Sequence, residues 1–110
     1  MRIFICFPFY SKDKELMNER IKKAKAYTLK LYKEGHIVFS PALTSYDWMM
    51  ETNESRNTLF PDWEGFCFSL LEPADEIHVL KLTGWETSQG LAGEVKKAEE
   101  LGKPVSYISM

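Results

Sequence analysis

The run "RIFICF" (Arg2 to Phe7) constrains this chain more than any other stretch. After Arg2 it is continuously apolar, with aromatic and β-branched residues, and a proline follows it. An amphipathic strand would alternate apolar and polar residues, whereas an unbroken apolar run belongs to a strand covered on both faces. Strands of that kind occur in parallel sheets sandwiched between helices. "PFYS" breaks the run, with Ser11 as the expected N-cap of the next helix and Asp13 in its first turn.

The rest of the chain fits that reading. From about Lys12 to Glu34, Met17, Ile21, Ala24, Thr28 and Leu31 recur at helical spacing, and Gly35 ends the helix as a left-handed cap. "HIVFS" is expected to be a second strand, stopped by Pro41. The stretch from Pro41 to about Pro61 has no clear period and reads as a long loop. Two descriptions fit it: a lid over a pocket, or a mobile loop packed on its own aromatics. Asp62 is placed to cap a helix carrying Trp63, Phe66, Leu70 and Leu71, which Pro73 ends. "EIHVLKL" is a third strand. A third helix then runs up to Gly102 and Pro104, and "VSYI" is a fourth strand.

The order β-α-β-loop-α-β-α-β implies a parallel α/β sheet with right-handed crossovers. The expected architecture is a flavodoxin-like or Rossmann-like three-layer sandwich of four or five strands, in the order 2-1-3-4. At 110 residues the chain is expected to form a single domain spanning 1–110. Ligands in such sheets bind beyond the carboxyl ends of the strands, where the strand order reverses. That places "PFYS" and "TGWETSQG" around one cleft.

Composition narrows the partners. The formal net charge of −2 gives no electrostatic case for binding a nucleic-acid backbone. No apolar run reaches the roughly 18 residues that a membrane span needs, and the N-terminus lacks the pattern of a signal peptide. Cys6 and Cys67 lie among apolar residues without CxxC spacing, and neither has a histidine near it in sequence. They read as buried, reduced thiols in a cytoplasmic protein, and no metal or cofactor is expected. His36 and His78 have no partners at metal-ligand spacing and read as structural. Arg20 and Arg56 are the arginines outside the first strand. Arg56 reads as a solvated side chain, with reach to a phosphate as the alternative.

One carboxylate conflicts with its surroundings. A helix turns about 100° per residue. With Leu91 at zero, Val95, Ala98 and Leu101 fall at about 40°, 340° and 280° and define an apolar face. Glu94 falls at about 300°, inside that face, whereas Lys96, Glu99 and Glu100 point outward. A carboxylate seldom goes inside without a partner or a purpose. Two readings stand: a salt bridge at the helix rim, or a chemical role in the cleft. Ser88 sits at the start of the same helix, with Gly90 after it. A hydroxyl, a glycine and free backbone N–H groups at a helix start make an anion site, although Ser88 is equally a plain N-cap.

At these residues the chain resembles the nucleoside 2-deoxyribosyltransferase superfamily, which includes the 2′-deoxynucleoside 5′-monophosphate N-glycosidases and small uncharacterised relatives. The resemblance runs through "IFICFPFYS", "GHIVFSP", "LLEPADEIHVL" and "GWETSQGLAGEVKKAEELGKPV". It implies that Glu94 attacks the anomeric carbon of a sugar, that Ser88 binds a 5′-phosphate, and that Gly90 lets backbone come close. It also implies that Pro8 and Phe9 form the base-side wall. The expected partner is a nucleoside or nucleotide, cleaved at its N-glycosidic bond or used for deoxyribosyl transfer. Relatives form dimers or larger rings, which makes a homo-oligomer the expectation and Trp48, Met49 and Met50 its candidate anchors. In two places the chain departs from the pattern. Phe4, a candidate substrate-binding residue in the first strand, stands where many members carry a tyrosine whose hydroxyl orients the glutamate. Tyr10 is the nearest substitute. Cys67 aligns with the family's acidic residue, for which Asp62 or Glu64 could stand in. These departures keep open a nucleotide-binding module that no longer turns over, and the aromatic loop keeps open an oligomeric interaction protein.

Overall fold

The computed structural model describes residues 1–110. Four parallel strands, β1 (Arg2–Cys6), β2 (Ile37–Phe39), β3 (Glu76–Lys81) and β4 (Val105–Ser109), lie in the order β2-β1-β3-β4. Five helices connect them: α1 (Lys14–Lys33), α2 (Pro41–Thr52), α3 (Arg56–Leu59), α4 (Trp63–Leu71) and α5 (Gln89–Glu100). The α/β class and the strand order are those expected.

The apolar run of β1 explains the layers. Alternate side chains of a strand point to opposite faces. Ile3, Ile5 and Phe7 therefore enter one cluster, with Ala24 and Leu31 of α1 and Leu80 and Leu82 from β3 and just beyond it. Phe4 and Cys6 enter the other, with Leu71 of α4, Ile77 and Val79 of β3, and Leu91 and Ala98 of α5. Helices cover both faces, which is why no polar residue interrupts the strand. His78 points to the α1 face, where Tyr27 Oη lies 2.6 Å from its Nδ1 and Glu76 Oε1 lies 3.2 Å from its Nε2. Both ring nitrogens thus meet protein partners.

Three local expectations are corrected. The region from Pro41 to Pro61 is largely helical. Pro41 begins α2 at its first position, after the Ser40 N-cap, whose hydroxyl accepts from Leu43 N. Proline suits that position because its missing N–H would be unpaired there anyway. A helix this aromatic shows no clean period, because Trp48 stacks on Phe60 across the α2–α4 junction with centroids 5.8 Å apart. Asp13, not Ser11, caps α1, accepting from Glu15 N and Leu16 N, while Ser11 accepts from Asp13 N. Leu101 lies past the end of α5 and is exposed, so it leaves the apolar face to Leu91, Val95 and Ala98.

Candidate functional site

Beyond the carboxyl ends of β1 and β3 lies a cavity of about 410 Å³. One wall is the β1–α1 loop, with Pro8, Phe9 and Tyr10. The other is the segment between β3 and α5, with Gly84, Thr87 and Ser88, followed by the first turns of α5. The two segments named from strand order meet in one cleft. Ala42 of α2, Arg56 of α3 and Trp63 of α4 close it from the side.

Of the residues singled out in the sequence, Glu94, Ser88, Gly90, Pro8 and Phe9 all line this cavity. Phe4 and Asp62 do not. Phe4 is wholly buried in the core beneath the cleft, packed edge-on against Phe39. Asp62 is exposed, and its carboxylate accepts from Gly65 N as the N-cap of α4. Tyr10 and Glu64 were the alternatives for the two departures. Tyr10 lies on the cavity wall, and Glu64 lines a smaller recess of about 130 Å³ that Glu94 and Cys67 share.

The Glu94 side chain is partly buried, and the protein around it strips water from the carboxyl. That desolvation pushes its pKa up to about 7, against smaller downward pulls from the Cys6 thiol, which is within hydrogen-bonding reach, and from the Arg56 guanidinium. Glu94 in turn helps to keep both thiols protonated. Burial raises Cys6 well above the usual thiol range, with Glu94 adding to it. Burial followed by the Glu94 charge pushes Cys67 up to about 12. Neither cysteine is a thiolate nucleophile at neutral pH.

Ser88 caps α5, its hydroxyl accepting from Leu91 N at 3.3 Å. Gly90 follows in the first turn, and a Cβ built there meets nothing within 4 Å. Glycine at this position therefore keeps the cavity wall low without being needed for packing.

Two cations share the cleft: Arg20, to which the sequence pattern assigns no role, and Arg56, for which reach to a phosphate is only the alternative to a solvated side chain. Arg56 lies with its guanidinium 4.9 Å from the centre of the Trp63 ring, held by the helix α3 in a stretch that reads as a loop. Arg20 of α1 is only 7% exposed and bonds to backbone carbonyls of both cleft rims. A signal for Arg20 was present: with Ile21 at zero it falls at about 260°, beside Leu31 at about 280°. The phase conflict that marks Glu94 on α5 marks Arg20 on α1.

The family match decides the chain's affiliation: the profile of DUF1937, a domain of unknown function, covers residues 1–110. The chain belongs to the DUF1937 family. This DUF1937 chain is also similar to a solved 2-deoxyribosyltransferase from the psychrotolerant bacterium Bacillus psychrosaccharolyticus, which is described as a biocatalyst for nucleoside synthesis. The two share 25% sequence identity and a TM-score of 0.64, over 99% of this chain and 72% of that one. No curated protein sequence matches the chain. No group of His, Cys, Asp and Glu side chains is arranged to hold a metal ion, and no helix is long and apolar enough to cross a membrane.

Proposed function

We propose that this cleft breaks the N-glycosidic bond of a nucleoside or nucleotide, with Glu94 as the nucleophile. The observation that carries this reading is the Glu94 carboxyl on the wall of a cavity beyond the strand ends, where the surrounding protein holds its pKa at about 7. The likeness to a 2-deoxyribosyltransferase supports the same chemistry.

The steps balance simply. A Glu94 oxygen forms a bond to the anomeric carbon as the C–N bond breaks, and the base leaves with the electron pair and takes up a proton. Water or a second base then attacks the same carbon and releases the carboxylate. Positive charge on the sugar in the transition state is met by the carboxylate in a poorly solvated site, where the attraction is stronger than in water. Ser88 and the backbone N–H groups at the start of α5 hold the anionic end of a phosphorylated substrate. Pro8 and Phe9 flank the base, and Gly90 admits the sugar close to backbone.

The test is incubation of the purified protein with a panel of nucleosides and deoxynucleoside monophosphates, with free base as the readout. Base release from at least one compound is expected, and it should vanish in Glu94→Gln, which is nearly isosteric. Full activity in that variant removes Glu94 from the mechanism. A second reading has its own support: Cys67, with its thiol pKa pushed up to about 12, is a poor proton donor to a leaving base at the place where the resemblance to deoxyribosyltransferases implies an acid. On that reading the domain binds nucleotides without cleaving them. Measurable binding with no base released from any compound would favour it.

A further inference from the structure

Arg20 has features that a packing role does not explain. Its guanidinium is buried, yet no carboxylate pairs with it. Its bonds go to two main-chain oxygens far apart in sequence. Nε and Nη2 donate to Thr83 O at 3.0 and 2.6 Å, and Nη1 donates to Tyr10 O at 3.0 Å. Tyr10 belongs to the loop after β1 and Thr83 to the segment after β3, so one planar group joins the two walls of the cleft. Gly84 makes room for it. Its φ of +90° suits glycine, and a Cβ there would run into Nη2. Keeping a full charge in this place costs desolvation that an apolar side chain of similar volume would avoid. A neutral donor of ordinary shape could not bridge both oxygens in one plane, whereas the five donors of a guanidinium form a rigid fork.

We propose that Arg20 is a positioning residue, clamping the β1–α1 loop to the β3–α5 segment so that the walls bearing Phe9 and Ser88 keep a fixed separation across the cleft. Its importance for turnover rests on the glycosidic chemistry proposed above, whereas the clamp itself does not. Reacting atoms displaced by about 1 Å lose on the order of a hundredfold in rate, so the spacing of the walls matters more than their composition suggests.

Amide hydrogen exchange on Arg20→Met and Arg20→Lys tests the clamp without reference to activity. In both variants the amides of residues 9–11 and 83–88 should exchange at least about tenfold faster, while Ile3 to Cys6 and Ile77 to Leu80 keep their protection. Lysine retains the charge but not the fork, so it should not rescue. Faster exchange spread evenly through the core, unchanged exchange at the rims, or full rescue by lysine overturns the proposal. Should neither variant fold, the native protein still decides. Its Arg20 Nη protons should give separate, slowly exchanging NMR signals, and a freely rotating, averaged guanidinium overturns the clamp. In the base-release assay, kcat of the folded variants should fall about a hundredfold with KM little changed. If Glu94→Gln stays active, the chemistry is wrong and the exchange data still judge the clamp. If rim exchange is unaltered, the clamp is wrong whatever the assay reads.

Discussion

At the scale of single residues, the cleft depends on side chains whose type conflicts with their position. Glu94 turns a charge toward an apolar face, and Gly90 puts a flexible residue into a helix. Glycine inside a helix costs about 0.5–1 kcal/mol relative to alanine. Nothing in the packing asks for it here, because a methyl group at position 90 would meet open space. Gly90→Ala should therefore leave the melting temperature unchanged or raise it slightly, while weakening nucleotide binding at least about tenfold by filling the cavity wall. Calorimetric titration beside a thermal melt separates the two effects. Unimpaired binding would show that no ligand approaches this backbone. Both the phase of Glu94 and the N-cap at Ser88 were legible from local sequence, because a helix wheel and a capping rule need no knowledge of distant residues. Arg20 obeyed the same wheel, but its carbonyl partners lie on loops that only folding brings beside it.

At the scale of elements, the stretch between β2 and α4 shows where pattern reading stops. Its helices are short, aromatic and packed on one another, with Phe60 and Phe66 4.9 Å apart and Phe60 and Trp63 5.2 Å apart. Such residues satisfy one another around a local cluster, so no single stripe faces the main core and no period emerges. Trp48, an expected interface anchor, makes intramolecular contacts here and remains half exposed. The functional product of the stretch is the position of α3, which carries Arg56 to the cleft. That charge lowers the pKa of Glu94. Arg56→Met should therefore move the acidic limb of the pH–rate profile to higher pH, above the native value of about 7. An unmoved limb would mean that Arg56 does not act on Glu94 during turnover.

At the scale of the whole molecule, activity and stability should respond to pH in opposite directions. A nucleophilic carboxylate must be ionised, so kcat/KM should rise with pH through about 7. For stability the sign reverses. Folding raises the Glu94 pKa from 4.5 to about 7, so the native state binds this proton more tightly than the unfolded chain does. The stabilisation is fully present below about pH 4.5 and is lost as pH rises through about 7. The difference of 7 − 4.5, or 2.5 units, corresponds to at most about 3 kcal/mol. Urea denaturation of the native protein and of Glu94→Gln checks this, because the other carboxylates cancel in the comparison. The variant should gain relative to the native protein between pH 5 and pH 8, by up to about 3 kcal/mol. A pH-independent difference would show that burial does not perturb Glu94.

The sequence alone determined the layers, the strand order and the carboxylate. Continuous apolar strands, helix periods and the rules of parallel crossovers are local or topological, and they act before any side chain meets a distant partner. Tertiary structure alone decided which charges join Glu94 in the cleft. Arg20 is held by carbonyls of two separate loops, and Arg56 is carried in by a four-residue helix packed on Trp63. Phe4 went to the core, where close packing was on offer, whereas Asp62 caps α4 as its place ahead of the helix already indicated. Burial and long-range hydrogen bonds depend on the assembled surroundings of a residue, and no local pattern carries that information.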